Sequence, residues 1–419
     1  MPWSPFRRGA FRFVCAYLAL FLFPFPIGSI PGTDSLSEAC DVPWQVLAVW
    51  VGRHVLRLQN EITNFSKEGT DSTYGYVQLL CMVVVAAAGA LAWSLLDRKR
   101  TDYRSAYGWL HLWVRYVLAT SLLTYGLIKV IKVQFPDVSP SRLVQQVGDL
   151  SPMELLWTFM GYSRAYTFFA GAIELVAALL LFFRRTSRVG ALLAVVALTN
   201  VVMLNLCYDV TVKLGSAQLL LLALFLLAPD ARRLLDVLVL DRASAPPAPR
   251  EPRFEGVWAK RGAVAVKVLF VGNALVGTAM GVWAAYHTFG DGAPSGPLDG
   301  LYEVEAFSRD GVAAPPLSTD RARWRWVSVA GERLSVQRMD GKAKRFGIDG
   351  GVQAASLTLH DKDDATHPFT YARPDEGHVE LAGTLGGESL AVRLRRVQRS
   401  EFLLISRGFH WVNEYPVNY

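Results

Sequence analysis

The sequence predicts an α-helical polytopic membrane protein with about seven transmembrane helices, followed by a C-terminal all-β domain, a small barrel or sandwich. Three observations carry this reading. Of 419 residues, 52% are hydrophobic and only 19% charged, too apolar for an ordinary soluble chain of this length. The apolar excess lies before residue 290, in runs of about twenty residues that match the ~30 Å hydrocarbon core of a bilayer. From Gly296 the pattern turns to period two: Leu334 and Val336, Leu357 and Leu359, Val379 and Leu381, and Leu390, Val392 and Leu394 alternate with polar residues. Turn signals at Asp340-Gly341 and Gly386-Gly387 separate these runs.

The first element opens with Arg7, Arg8 and Arg12 and continues as an apolar run from Phe13 to Ile30. No small-x-small cleavage site follows Pro24, Pro26 and Pro31, so an uncleaved transmembrane helix is favoured over a signal peptide. Residues 31–72 form an outer loop with an amphipathic helix over Trp44 to Leu58. Its Trp44 and Trp50 suit the lipid interface and simple packing equally. The second span covers Thr73 to Leu96 and stops at Asp97, Arg98, Lys99 and Arg100; the third covers Tyr107 to Val130.

An irregular outer loop, 132–150, leads to Ser151, Pro152 and Glu154, which supply an N-cap, a first-turn proline and a capping-box acid. A helix running unbroken from there to Arg185 would be roughly 50 Å long, too long for one crossing. A break near Gly161 is therefore expected, with a short helix at 152–160 and a fourth span from Ala165 to Phe183. The fifth span covers Val189 to Tyr208, the sixth Val210 to Ala228 and the seventh Gly262 to Tyr286. The Pro/Ala tract SAPPAPREP, 244–252, lies in the linker before the seventh. The expected organisation is two spans and their loop (1–106), a four-helix core (107–236), a Pro/Arg-rich linker (237–261), a last span (262–289) and the β-domain (290–419).

The net charge of +7 is distributed in short basic clusters beside apolar segments. Such clusters act as topology signals, not as a nucleic-acid surface, and they put the N-terminus and linker in the cytoplasm and the β-domain outside. Nucleotide loops, HExxH and GxSxG are absent from the sequence. His360, Asp361, Asp363, Asp364 and His367 read as a solvated turn ahead of a metal site. Cys15, Cys40, Cys81 and Cys207 show no zinc or redox spacing, although Cys40 with Cys81 or Cys207 leaves an outer disulfide open.

The candidate chemistry lies in polar residues within the spans. Glu174, halfway along the fourth, must be paired, hydrogen-bonded or protonated. Counting from the cytoplasmic helix ends puts Arg115 at nearly its depth, so an Arg115–Glu174 pair is expected, either to register the helices or to form a proton or ligand site. Lys129 and Lys132 share the outer end of the third span. Lys132 reads as snorkelling to water, and the deeper Lys129 as a candidate base or anion holder. If the fifth helix continues past Tyr208, then Asn205, Asp209 and Lys213 share one face, where Asp209–Lys213 forms a rim ion pair or a helix-end clamp.

The runs RYVLATSLLTYGLIKV (115–130) and GAIELVAALLLFFRRTSRVGALLAVVALTN (171–200) resemble the DoxX-like membrane family, through Arg115, Gly126 and Lys129 in one helix and Gly171 and Glu174 in the next. The resemblance covers the third to sixth spans. It implies a four-helix core in a bacterial inner membrane and, as in some members, a link to quinone-dependent oxidoreductases. On that basis Lys129 and Glu174 are the candidate catalytic residues; Arg115, Asn205, Tyr208, Asp209 and Lys213 are candidates for holding a quinone or lipid-like molecule. The bilayer and a membrane redox or periplasmic protein are the implied partners. A fainter similarity, to the membrane domain of vitamin K-dependent γ-glutamyl carboxylase-like proteins, would make Lys129 a base. A non-enzymatic anchor or assembly factor presenting the β-domain to a partner is the alternative.

Overall fold

The computed structural model describes residues 3–30, 32–65, 70–244, 252, 255–349, 355–363, 365–415 and 417. Most of the Pro/Ala tract 244–252, and Asp364 of the acidic turn, lie outside the described residues. The chain folds as two compact units, Met1–Phe135 with Ser163–Tyr286, and Pro136–Tyr162 with His287–Tyr419.

The first unit is helical: α1 (Pro5–Leu22), α2 (Asp34–His54), α3 (Thr73–Leu96) and α4 (Arg104–Val130). After the second unit's short α5 (Pro140–Leu143) and α6 (Pro152–Tyr162) it resumes with α7 (Arg164–Phe182), α8 (Ser187–Cys207), α9 (Lys213–Leu227), α10 (Ala231–Leu238) and α11 (Val257–Phe289). Among the described residues five segments are long and apolar enough to cross a membrane: α3, α7, α8, α9 with α10, and α11. The other two expected spans, α1 and α4, form as long helices but are less apolar. Arg7, Arg8 and Arg12 lie inside α1, and His111, Arg115 and several aromatics dilute α4.

The bundle core gathers on α4, whose Val114, Leu118, Ala119, Leu122 and Leu123 are fully enclosed against Ala177, Ala178 and Leu181 of α7 and Ala223 and Leu226 of α9. α2 starts ten residues earlier than its amphipathic pattern suggests and carries Pro43 within it. Trp44 packs against the small cluster of Ala48, Tyr74, Val77 and Cys81 between α2 and α3, whereas Trp50 is 53% exposed. All four cysteines are free thiols. The break expected near Gly161 falls at Ser163, which N-caps α7 by accepting a hydrogen bond from the Tyr166 N–H.

The second unit is a closed antiparallel barrel with a short helical segment packed on it. Its strands are β1 (Gly300–Arg309), β2 (Val312–Ala313), β3 (Trp324–Ala330), β4 (Arg333–Arg338), β5 (Ala343–Asp349), β6 (Ser356–His360), β7 (Thr366–Asp375), β8 (His378–Leu385) and β9 (Glu388–Val397). Each strand from β3 to β9 pairs with the next, and β1 joins both β3 and β9, which closes an eight-stranded cylinder; β2 is a short addition to β1. Closure removes the open edges that a sheet would otherwise leave. The two-residue turn between β8 and β9 uses Gly386 and Gly387 at φ +62° and +89°, as a type I′ hairpin requires.

The inward residues of alternate positions form one apolar cluster from Tyr302 to Leu394. Phe369 lies over Gly383, its cross-strand partner, where a Cβ would come within 2.4 Å of the ring. Arg323, 2% exposed, donates to the carbonyls of Ala314 (2.9 Å) and Trp324 (3.0 Å), and burial lowers its pKa. Residues 136–162 belong to this unit: Arg399 donates to Val138 O at 2.7 Å and Gln337 to Val144 O at 3.3 Å. α12 (Leu403–Ser406) follows the last strand.

Candidate functional site

The polar centre of the bundle is built on a close approach of two helices. Gly126 of α4 and Gly171 of α7 face each other. A Cβ on Gly126 would lie 2.8 Å from Leu175 N, and one on Gly171 2.7 Å from Gly126 O. Small residues let the two backbones meet, as in membrane helix pairs generally. One turn beyond Gly126, Lys129 is thereby carried onto the buried face of α7, where Thr167, Gly171, Glu174 and Ala178 recur at helical spacing.

Lys129 Nζ donates to both carboxylate oxygens of Glu174, at 2.9 and 2.7 Å. The two side chains are only 9% and 4% exposed. The ammonium also lies 5.7 Å from the centre of the Tyr125 ring. Two opposite charges enclosed among apolar side chains compensate each other, since either alone would face a large desolvation cost.

This corrects the expected Arg115–Glu174 pair. The antiparallel contact sets Gly126 against Gly171, so Arg115, about three turns back along α4, is level with the end of α7. There it donates to the Leu181 carbonyl and stacks on Tyr116, 4.9 Å from the ring centre. Counting depth from helix ends fails because the ends are not level: α4 begins some three turns beyond the point where α7 stops. Lys132 also departs from expectation. It is 6% exposed and enclosed by protein, with its backbone in the left-handed region at φ +60°.

Asn205, Asp209 and Lys213 do not share a helix face. α8 ends at Cys207, Tyr208 caps it through a backbone bond to Leu204 O, and Asp209 takes φ +50°. The Asp209–Lys213 ion pair forms across this turn at 2.8 Å. Lys213 also reaches Asp71 at 3.3 Å, and Asp71 accepts the Lys213 and Leu214 N–H groups at 3.0 and 2.9 Å, capping α9. This set therefore clamps the start of α3 to the start of α9. Asn205 stays apart from it: the residue is 6% exposed and its Nδ2 is enclosed without a protein hydrogen-bond partner. Packing of α8 on α7, with Gly190 against Ala177 and Leu181, places Asn205 beyond Glu174 toward the Lys132 end of the bundle. None of the described contacts joins Tyr208 to Lys129 or Glu174.

Sequence reasoning missed three polar anchors. Asp71, a cap made across about 140 residues, has no local signature. Arg12 donates to the Tyr103 hydroxyl at 2.9 and 2.7 Å, to Ser94 Oγ at 2.8 Å and to Asp97 O at 2.7 Å, binding α1 to α3 and α4. Asp230, 2% exposed, accepts from Arg188 at 3.0 Å and Arg233 at 3.2 Å. As the acid next to Pro229 in a basic stretch, Asp230 offered a signal that could have been read. Among the described residues no group of His, Cys, Asp and Glu is arranged to hold a metal ion. The groups suited to an organic ligand are the Lys129 ammonium, the Glu174 carboxylate and the Asn205 amide.

No family model matches the chain, and no solved structure matches it. It is similar to the uncharacterized protein YwoB of Bacillus subtilis (strain 168), with 36% identity over 123 residues, 29% of this chain and 78% of YwoB. Through that segment, the chain belongs to the family of YwoB.

Proposed function

We propose that α4, α7, α8 and α9 form a DoxX-like core in a bacterial inner membrane, which binds a quinone or lipid-like molecule as part of a membrane redox system. The observation that carries this is the enclosed Lys129–Glu174 pair, one charge on each of two helices in van der Waals contact, with the unsatisfied amide of Asn205 farther along the same bundle. Ionisable groups at such positions are costly, and in membrane bundles they mark ligand or proton sites. The Lys129 ammonium and the Asn205 amide supply donors for a quinone carbonyl, and the Glu174 carboxylate supplies a proton acceptor. An orientation with the N-terminus inside and the barrel outside agrees with the basic clusters and with the packing of the expected outer loop, 136–162, on the barrel.

Mass spectrometry of small molecules retained by the purified chain, beside its Lys129→Ala and Glu174→Gln variants, tests the reading. A quinone or single lipid species held by the wild type and lost from folded variants is expected; identical retained profiles would sink it. A second reading, an anchor presenting the barrel to a periplasmic partner, is favoured by the chain's last residues. Phe409, Trp411, Val412 and Tyr415 are 76, 91, 73 and 83% exposed. Crosslinking in cells should then capture one partner through this segment.

A further inference from the structure

A cavity of about 750 Å³ lies within the helical unit, at the end of the bundle away from Lys129. It is walled by α4, α11, the turn after α1, Arg184 just beyond α7 and Pro252 of the linker before α11. Its volume is within the ~300–1,000 Å³ usual for small-molecule sites. Three cations from three different elements line it, Arg115, Arg184 and Lys267. The remaining wall is apolar and aromatic. Tyr116 meets Phe270 edge-on at 5.4 Å, and Phe25 meets the same ring at 5.8 Å. Lys267 is held 5.0 Å over Phe183, and Arg115 is fixed by its bond to Leu181 O.

We propose that this cavity binds a membrane lipid with an anionic phosphate headgroup, the phosphate resting on Arg115, Arg184 and Lys267 and the chains running along α11. Three positive side chains around one cavity attract an anion, and guanidinium groups match phosphate oxygens in geometry as well as charge. The flank of the site distinguishes a lipid from a soluble phosphate. Val264, Val266, Val268 and Leu269 of α11 are 60–72% exposed on a helix long and apolar enough to cross a membrane. A hydrocarbon chain can cover that surface and a free anion cannot. The cations also sit where α7 ends and the basic turn of Arg184 and Arg185 begins, the depth at which headgroups meet basic pockets between membrane helices.

The test is native mass spectrometry of the full chain in detergent with phosphatidylglycerol or phosphatidylcholine of identical acyl chains, with inorganic phosphate as competitor. Retention of phosphatidylglycerol should exceed that of phosphatidylcholine. It should fall about fivefold in each of Arg184→Gln and Lys267→Gln, the worth of about one basic contact, and be kept in the charge-preserving Arg184→Lys and Lys267→Arg. Equal retention of both lipids, or an unchanged preference in the Arg184→Gln/Lys267→Gln double variant, would overturn the proposal. Displacement of the lipid by millimolar inorganic phosphate would also overturn it, because the apolar wall would then contribute nothing. Lys129→Ala and Glu174→Gln should leave this lipid in place, so its fate is independent of the ligand at the central pair.

Discussion

Lys129 Nζ and the Glu174 carboxylate form a two-pronged ion pair, 2.9 and 2.7 Å long, inside a helix bundle with almost no access to solvent. The pair is unsymmetrical in its consequences. Removing one partner strands the other charge in an apolar interior, whereas removing both leaves two side chains of suitable volume.

Lys129→Met or Glu174→Leu alone should therefore destabilise the chain by roughly 3–5 kcal/mol, and the double variant by distinctly less. Thermal unfolding of the detergent-solubilised protein measures all three. Strictly additive single effects would show that the two side chains do not compensate each other. A double variant that folds normally yet retains no small molecule would assign the pair to binding and not to helix registration.

The approach that brings the pair together depends on two glycines. Gly126→Ala or Gly171→Ala would push a methyl group to 2.8 or 2.7 Å from opposing backbone, so α4 and α7 must separate. Each should cost about 1–3 kcal/mol. Gly89→Ala in α3, whose added Cβ meets nothing within 4 Å, should be neutral or slightly stabilising through helix propensity. Comparable losses at all three positions would remove the special role given to the Gly126–Gly171 contact.

These relationships divide by how local their cause is. The Ser151–Glu154 capping box was legible because both partners lie within one turn, and both of its hydrogen bonds are present at 3.2 and 3.0 Å. The barrel strands were legible because alternation is a property of each strand alone. Closure of β1 on β9 was not, since it joins segments some ninety residues apart with no shared pattern. The break near Gly161 was legible from helix length and falls two residues on, at Ser163; the contact Gly161 itself makes was not, since a Cβ there would lie 2.4 Å from Pro136 O. The partner of Glu174 was misassigned for the same reason. Which cation reaches it depends on the axial offset of α4 and α7, and that offset is set by Gly126 and Gly171, not by where either helix ends.

Arg12 should be indispensable to the position of α1. It makes four hydrogen bonds to Tyr103, Ser94 and Asp97 while 6% exposed, and Tyr103 in turn donates to Asp97 Oδ2 at 3.0 Å. Arg12→Gln should cost on the order of 3 kcal/mol, and Tyr103→Phe, which leaves Asp97 O and Ser94 in place, less. If α1 is a structural helix, the N-terminal peptide containing Arg12 will be recovered from the mature membrane-extracted protein. Its absence would contradict the packing of Phe11, Leu18 and Leu22 into the bundle core.

In the barrel unit, acid should loosen α6 through one carboxylate. Glu154 accepts from Arg142 at 3.0 Å and from the Ser151 N–H, with Arg345 at 3.6 Å, and these contacts hold its pKa at about 2 against an ordinary 4.5. The Arg142 hydrogen bond is the largest cause, followed by the backbone N–H. Because the folded value lies below the unfolded one, the unfolded chain binds the proton first as pH falls. The stabilisation is complete above about pH 4.5 and disappears as pH falls through about 2. Hydrogen exchange of residues 151–162 in the wild type should accordingly be slower than in Glu154→Gln at pH 6, with the difference vanishing toward pH 2 after correction for intrinsic exchange. Titrations common to both proteins cancel in that comparison. A difference that persists unchanged at the acid end would mean that the side chain's shape, not its charge, holds the start of α6.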